Sequence, residues 1–372
     1  MIVSLAALVL PGMSRWVGIP AVVMEILFGI VIGKSVLHLE FGGEWLPFLA
    51  ELGFLFLMFQ AGMEIDFAAL GRQSVRQFGL QILLFVCTLG ASLVAAWMLS
   101  RGLFMALVLS TTSLGLVMPT LREAGLSKTE LGQAILFAAT LADFLTLFGI
   151  TFFILYIKQG MGWHFLLPVP LFAGFGLLLR LGRLWAWWNP SLAERILGLR
   201  EDTNEIGVRL SIALLFLFVG LSEMVHLEPV LGAFLGGALL AYVFKEKPLL
   251  EHKLSAVGFG FLIPVFFINV GMQLDLRNLL GWEQIRFTLE LLAFAMAVKL
   301  IPALVFLFNG YSFKQVIQMG LLLSSRLSLI IAAAAIGLQQ GLISVEIKDA
   351  IVLLAIITCF LGPTFFKRLA AR

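Results

Sequence analysis

Three ionisable residues stand inside long apolar runs of this 372-residue chain. Asp143 interrupts one such run, 131–156, and Lys299 and Arg326 interrupt two later ones. A charged side chain near the centre of a membrane helix costs ~3 kcal/mol on insertion scales. Membrane proteins keep such a residue where it binds an ion, carries a proton or pairs with an opposite charge. These three residues are therefore the first candidates for chemistry.

Their residue types predict different roles. Asp143 would be the site where a monovalent cation and a proton compete, with a structural salt bridge to Lys299 as the alternative. Lys299 can pair with Asp143 or release a proton. The alternative is that its long aliphatic chain snorkels and places the ammonium group at the membrane surface. Arg326 keeps its proton under all working conditions, which favours a permanent structural partner over a proton carrier.

Two apolar runs also carry a cluster of hydroxyl side chains near their middle. Residues 110–113 read Ser-Thr-Thr-Ser, and residues 324–328 read Ser-Ser-Arg-Leu-Ser. Hydroxyls can satisfy backbone groups that unwinding sets free, so the matched pair favours two broken helices. The alternative is two intact helices whose hydroxyls bond one turn back. Where breaks cross, a carboxylate such as Asp143 would offset the positive helix ends, and Arg326 or Lys299 the negative ones.

The composition places the chain in a membrane. Hydrophobic residues make up 61% of it and charged residues only 13%, and the mean hydropathy is +1.05. A soluble fold of this length could not cover itself with so few charges. The two cysteines fall in apolar segments and the four histidines show no ligand spacing, so no disulfide framework or metal site is predicted. No cleavable signal peptide is evident, since the apolar start lacks a basic region.

Windows of about 20 apolar residues predict thirteen transmembrane helices. They are 1–16, 19–39, 44–63, 75–99, 102–121, 129–157, 163–186, 205–225, 229–244, 255–272, 286–308, 313–338 and 344–366. The polar stretch at about 187–204 is the one substantial loop, and it divides a first half (about 1–186) from a second half (about 205–366). Seventeen Lys and Arg residues fall on one side of these spans, six on the other and two inside, of 25 in total. The bias predicts an external N-terminus and a cytoplasmic C-terminus and loop.

The chain repeats itself weakly. The pattern G-M-x-[IL]-D-[FL]-x-x-L occurs at 62–70 and again at 271–279, and residues 107–111 resemble residues 321–325. The copies lie seven spans apart, and because seven is odd they cross the membrane in opposite directions. An inverted repeat is the plan of many secondary transporters.

These motifs resemble those of the cation:proton antiporter superfamily, in particular its Kef-type and bacterial sodium/proton antiporter branch. Residues 59–66 resemble the family pattern F-x-x-G-[LM]-E-x-D, and residues 264–271 resemble P-x-F-F-x-x-x-G. By this resemblance Asp143 falls on the ion- and proton-binding carboxylate and Lys299 on the buried lysine of the family. Two crossing discontinuous helices fall on the hydroxyl clusters. The implied ion- or proton-binding residues are Asp143, Thr111, Thr112, Ser113, Ser324 and Ser325, with Lys299 and Arg326 as buried charge partners.

The resemblance also implies an architecture and partners. We expect a single exchanger-type transmembrane domain over 1–372, a homodimer in the cell inner membrane, and a core that alternates its access between the two sides. The expected substrates are Na⁺ or K⁺ and H⁺, with no cofactor, no enzymatic activity and no nucleic-acid partner.

The chain departs from the family pattern at three places. Electrogenic members carry a second aspartate where this chain has Ala142, so Lys299 is expected to pair with Asp143 directly and exchange to be one for one. The Kef-type G-G-E-F is replaced by Ser325-Arg326-Leu327-Ser328. No nucleotide-binding domain is expected after the last span, so nucleotide or glutathione would act only through a separate regulatory subunit. A cation channel and a non-transporting membrane sensor stay open as alternatives to an antiporter.

Overall fold

The structure is a computed structural model of the chain. It describes residues 2–17, 21–38, 44–65, 75–127, 129–160, 205–224, 227–244, 248–276 and 281–370, together with single positions between 174 and 188. Over these residues the regular secondary structure is helical, and no strand is present.

The helices follow one another in this order. They are α1 (Ile2–Val17), α2 (Ala21–Ile32), α3 (Trp45–Met63), α4 (Val75–Met98), α5 (Leu103–Ser110), α6 (Leu114–Glu123), α7 (Glu130–Gln159), α8 (Ile206–Met224), α9 (Pro229–Val243), α10 (Pro248–Val257), α11 (Ile263–Met272), α12 (Trp282–Ala303), α13 (Phe313–Leu323), α14 (Ser328–Gln339) and α15 (Val345–Ala370). A π-helical turn, Gly258–Leu262, joins α10 to α11, and a 3₁₀ segment, Leu304–Asn309, extends α12.

The predicted all-α polytopic membrane fold is confirmed. Every predicted span except the seventh coincides with one of these helices or with a pair of them. Seven helices in the described part of the chain are long and apolar enough to cross a membrane when α10, the π-helical turn and α11 are counted as one, or eight if α13 and α14 form one span bent by 43°. The seventh predicted span, 163–186, and the loop 187–204 lie outside the described residues apart from single positions.

Exposed tryptophans mark the helix ends. Trp16 lies at the end of α1, Trp45 begins α3, Trp97 lies at the end of α4 and Trp282 begins α12, and all four side chains are largely exposed. Tryptophan is enriched at membrane–water interfaces because its ring is amphipathic. These positions therefore fit helices whose ends reach the two bilayer surfaces.

The chain divides into two compact units. Unit 1 comprises Met1–Gly71 and Ile154–Gln273. Within it α2 packs against α11 and α3 against α9. A Cβ atom at Gly62 would collide with the Phe234 carbonyl, and one at Gly237 would collide with the Phe59 carbonyl. The backbones of α3 and α9 therefore touch directly, which is how small residues drive helix association in lipid.

Unit 2 comprises Arg72–Phe153 and Leu274–Arg372. Within it α12 packs against α4 and α13, and α15 packs against α13 and α14. Its core joins residues of α6, α7 and α13, including Val117, Ile135 and Met319, which are fully buried. This core fixes the short helices α6 and α13 that flank the two hydroxyl clusters.

Both copies of the predicted repeat motif end a helix in the same way. Glu64 follows α3 and donates its backbone N–H to the carbonyls of Gln60 and Gly62. Gln273 follows α11 and donates to the carbonyls of Asn269 and Gly271. The same C-terminal geometry at matching positions supports the internal repeat, although 66–70 and 277–279 of the motifs lie outside the described residues.

Candidate functional site

The first hydroxyl cluster breaks a helix, as predicted. Helix α5 ends at Ser110 and α6 begins at Leu114, so Thr111, Thr112 and Ser113 connect two half-helices. The Ser110 hydroxyl donates to the Leu107 carbonyl at 2.8 Å, and the Thr111 hydroxyl donates to the Val108 carbonyl at 2.7 Å. The connecting residues are fully buried. The hydroxyls thus add hydrogen bonds to carbonyls at the C-terminal end of α5, where the regular i to i+4 pattern stops.

The second cluster breaks a second helix. Helix α13 ends at Leu323 and α14 begins at Ser328. The Ser324 hydroxyl donates to the Leu321 carbonyl at 2.6 Å, which repeats the arrangement at Thr111. Ser324, Ser325 and Arg326 have no exposed surface. The alternative of two intact helices is therefore wrong.

Asp143 lies on α7 opposite the start of α6. Its Oδ2 atom accepts a hydrogen bond of 3.1 Å from the backbone N–H of Leu114, the first residue of α6. A carboxylate at a helix N-terminus offsets the partial positive charge of that end. The Oδ1 atom of Asp143 is buried and has no hydrogen-bond partner among the described residues. One carboxylate oxygen is thus fixed by the break and the other is left open.

Arg326 binds the opposite, negative helix ends. Its Nη2 atom donates to the Leu109 carbonyl at 2.9 Å and to the Ala295 carbonyl at 2.8 Å. Its Nε atom donates to the Thr111 carbonyl at 3.2 Å, and its Nη1 atom to the Ser324 carbonyl at 3.3 Å. The guanidinium therefore joins the C-terminal end of α5 to that of α13 and to the middle of α12. Its fork of N–H donors explains why an arginine can make all four contacts.

Lys299 binds the first break beside Arg326. Its Nζ atom donates to the Ser110 carbonyl and to the Thr112 hydroxyl, both at 2.7 Å. No ion pair joins Lys299 to Asp143 in the part of the chain that the structure describes. The lysine is buried, with 4% of its surface exposed, so it does not reach the membrane surface. Lys299 was expected to pair with the Asp143 carboxylate. Its partners are instead the Ser110 carbonyl and the Thr112 hydroxyl of the first break.

The arrangement compensates both kinds of helix end within unit 2. Two cations, Arg326 and Lys299, hold the carbonyls at the end of α5, and one carboxylate, Asp143, holds the start of α6. The open Oδ1 atom is buried, and the other oxygen of the same carboxylate binds the N–H of Leu114, which follows the hydroxyl-bearing residues of the first break in sequence. Oxygen atoms in such a setting suit a small hard cation or a proton.

One further polar group, Thr146, lies close to the predicted residues, and one predicted residue, Ser325, has an unpaired hydroxyl among the described residues. Thr146, one turn after Asp143 on α7, is buried with its hydroxyl 3.4 Å from that of Ser110. The Ser325 hydroxyl is buried and has no hydrogen-bond partner among the described residues. A hydroxyl three residues from a buried carboxylate on a helix shares its face, and that spacing could have pointed to Thr146.

Glu25 is a buried carboxylate that the sequence analysis did not single out. It lies on α2 in unit 1, with 3% of its surface exposed. The signal that found Asp143, a charge within an apolar run, would have found Glu25 as well. It shares no described contact with Asp143.

Comparison with known proteins agrees with this architecture. Residues 3–372 match the family described as "Sodium/hydrogen exchanger, transmembrane". The chain is 36% identical to the putative Na(+)/H(+) antiporter YjbQ of Bacillus subtilis over 95% of its own length and 59% of that protein's. It is 30% identical to the probable Na(+)/H(+) antiporter 3 of Methanocaldococcus jannaschii, covering 97% of this chain and 93% of that one. The chain thus spans nearly all of one relative and about three fifths of the other.

Two more comparisons extend this result. The Na(+)/H(+)-K(+) antiporter GerN of Bacillus cereus is 28% identical over 95% of this chain and 91% of its own. The structure of the sodium proton antiporter MjNhaP1 from Methanocaldococcus jannaschii superposes with a TM-score of 0.69, at 13% identity, over 100% of this chain and 96% of that one. At that identity the superposition establishes the fold alone. The multi-pass helical fold and the match over almost the whole chain lead to one conclusion: this protein belongs to the sodium/hydrogen exchanger family of membrane transporters, not to an enzyme family.

Proposed function

We propose that the protein is a secondary active antiporter that exchanges a monovalent cation, Na⁺ or K⁺, for protons. Asp143 is the proposed shared site for the cation and the proton. The observation that carries this proposal is the open Oδ1 atom of Asp143, buried beside a helix break. Membership of the exchanger family and the printed names of the relatives support antiport, and the name of GerN supports including K⁺.

In this proposal Oδ2 stays bound to the Leu114 N–H while Oδ1 holds a proton or a cation in turn. A hydroxyl that donates its hydrogen to a helix carbonyl keeps lone pairs for a cation. Thr111 and Ser324 are in that condition, and Thr112, Ser113 and Ser325 are the other proposed hydroxyl ligands. Because Lys299 and Arg326 bind backbone carbonyls, they are proposed to hold the breaks rather than to carry the ion.

The proposed setting follows from the same features. We propose a homodimer in a cell inner membrane. Its N-terminus would be external and its C-terminus cytoplasmic, since 17 of the 25 Lys and Arg residues fall on the side assigned to the cytoplasm. All proposed ligands belong to unit 2, so unit 2 is the proposed carrier. The transmembrane domain is proposed to act without a cofactor.

Proteoliposomes with a pH-sensitive dye inside test the proposal. Addition of Na⁺, K⁺ or Li⁺ to acid-loaded vesicles is expected to move protons in the direction opposite to the cation. Asp143→Asn should abolish the signal, while Glu283→Gln, an exposed carboxylate at the start of α12, should leave it unchanged. Full exchange in Asp143→Asn would overturn the assignment of the site.

The same assay separates the two alternatives. A channel would collapse the cation gradient without coupled proton movement, and no comparison supports that reading. A membrane sensor that kept the fold would give no response to any of the three cations, although the protein was folded and inserted.

A further inference from the structure

Unit 2 contains a second polar site, away from Asp143. A cavity of about 820 Å³ opens between the start of α4, the turn from α6 into α7, and the turn from α12 into α13. The charge bias of the loops predicts that these segments face the cytoplasm. None of the residues that line the cavity takes part in the contacts of Asp143, Lys299 or Arg326.

Gln81 on α4 lines this cavity and carries an unsatisfied acceptor. Its side chain is 5% exposed, and its Nε2 atom donates to the Ala134 carbonyl at 3.2 Å. Its Oε1 atom is buried and has no hydrogen-bond partner among the described residues. A buried acceptor without a partner costs free energy comparable to a lost hydrogen bond. A hydrogen-bond donor that reached the Oε1 atom of Gln81 would therefore stabilise the site.

Glu130 contributes a negative charge to the same cavity. It stands in the first turn of α7, and among the lining residues that the structure describes it is the only carboxylate. Those described lining residues include no Lys, Arg or His. The other polar side chains, such as Gln77 and Asn309, are neutral. The site thus offers acceptors and one negative charge, which favours a cationic occupant over an anionic one.

Tyr311 supplies an aromatic wall. Its ring meets that of Phe306 edge to face, with centroids 5.7 Å apart, and both residues line the cavity. Burial and, after it, the neighbouring Glu130 carboxylate raise the pKa of the Tyr311 phenol, and both residues line this cavity. Aromatic faces attract ammonium groups. Leu80 and Leu131 complete an apolar part of the lining.

We propose that this cavity is a binding site for a small primary ammonium compound. Its ammonium group would lie between Glu130 and the Tyr311 ring, and a second donor would satisfy the Oε1 atom of Gln81. The ammonium group can come from a free amine or from the headgroup of phosphatidylethanolamine at the membrane surface. The free amine fits better, because the described lining residues offer no cation for the lipid phosphate. The inference does not depend on the transport function proposed above.

Ethanolamine and choline form a matched pair of probes, because choline keeps the charge and the hydroxyl but has no N–H donor. The purified full chain in phosphatidylcholine nanodiscs is titrated with each compound, and Tm and calorimetric Kd are measured. Ethanolamine is expected to raise Tm in a saturable manner, and choline is expected to raise it less, because only ethanolamine can donate N–H hydrogen bonds to Glu130. Equal shifts for both compounds, or no shift for either, would overturn the proposal.

Variants locate the site. Glu130→Gln is expected to weaken ethanolamine binding about tenfold, or about 1.4 kcal/mol, without affecting folding, since the residue is exposed. Gln81→Met should weaken binding as well, while Glu283→Gln should not. Unchanged affinity in Glu130→Gln would rule the site out. Asp143→Asn should bind ethanolamine like the wild type. The transport assay therefore tests the Asp143 site, and ethanolamine binding tests the cavity independently of it.

A second set of nanodiscs, with phosphatidylethanolamine added, identifies the source. If the headgroup occupies the cavity, the lipid alone should raise Tm and remove the response to free ethanolamine, and Glu130→Gln should cancel both effects. If a free amine is the ligand, the response to ethanolamine should be the same in both lipids. Either pattern supports an ammonium site at Glu130. A Tm that rises equally in wild type and Glu130→Gln contradicts it.

Discussion

Lys299 donates to the Ser110 carbonyl at 2.7 Å, at the end of α5, and forms no ion pair with Asp143 in the described part of the chain. The lysine and the carboxylate thus bind opposite ends of the same break, the one a carbonyl and the other the Leu114 N–H. The two residues are coupled through the unwound segment between them. A change at Lys299 should therefore act on the geometry of the break before it acts on the carboxylate.

Lys299→Ala is expected to weaken exchange or shift its pH optimum without eliminating cation binding. The substitution leaves the Ser110 carbonyl and the Thr112 hydroxyl without their donor, at a cost of about 1–3 kcal/mol for buried polar groups. Dye dequenching across a pH series measures the first effect, and calorimetry with Na⁺ measures binding. A variant that folds but binds no Na⁺ would place Lys299 in the ion site.

Arg326→Lys should lower the stability of unit 2. A lysine cannot reach the carbonyls of Leu109, Ala295 and Ser324 together, so at least one buried carbonyl loses its partner. The expected loss is on the order of 2–3 kcal/mol, because each bond has a charged donor. Thermal unfolding of the purified protein measures it.

The matched control is Arg286→Lys. Arg286 pairs with Glu290 at 2.7 Å on the exposed surface of α12, where ion pairs contribute little. Its Tm should equal that of the wild type. Equal Tm values for both Arg→Lys variants would mean that the guanidinium contacts of Arg326 do not stabilise the fold.

Gly362→Ala should disturb the second break. A Cβ atom at this position on α15 would collide with the Ser325 hydroxyl and the Leu321 carbonyl. We expect reduced transport and a lower Tm. Gly220→Ala on α8 is the control, because a Cβ atom there meets nothing within 4 Å, and alanine is favoured over glycine in a helix by about 0.5–1 kcal/mol. If Gly362→Ala transports as fast as Gly220→Ala, the contact between α15 and the second break does not affect transport.

Exchange is expected to be insensitive to membrane potential. Ala142, which directly precedes Asp143, is buried and carries no charge. Among the described residues, no second carboxylate contacts the break. One carboxylate that holds one cation or one proton gives one-for-one exchange. Proteoliposomes clamped with valinomycin at several K⁺ gradients should show the same Na⁺-driven rate after subtraction of the proton movement that each K⁺ gradient drives without valinomycin. A rate that follows the potential would require a second titrating group.

The sequence was sufficient to predict the two breaks and to expect fixed acceptors around Arg326. Hydroxyl clusters inside apolar runs have a local cause, since they satisfy the carbonyls of the turn before them, as Thr111 and Ser324 do. A permanent charge that lies inside the membrane needs fixed acceptors, which predicted a structural partner for Arg326. The partner of Lys299 could not be read in this way, because the distance between a side chain on α12 and the groups near it depends on helix packing.

The cavity at Gln81 and Glu130 was beyond prediction for the same reason. Its lining comes from three segments that lie about 50 to 230 residues apart in sequence, and no local pattern brings them together. Glu25 is a different case: the pattern was present in the run 19–39, and the residue was not singled out.

The guanidinium of Arg326 has one more consequence. An exchanger must also exist for a moment with no cargo, and a site held together only by its ion would collapse at that moment. Here the carbonyl ends of α5 and α13 are joined by a side chain of the protein itself. In the proposed antiporter, removal of the cation should therefore leave the two helix breaks joined. The empty protein would then keep the conformation that binds the next cation.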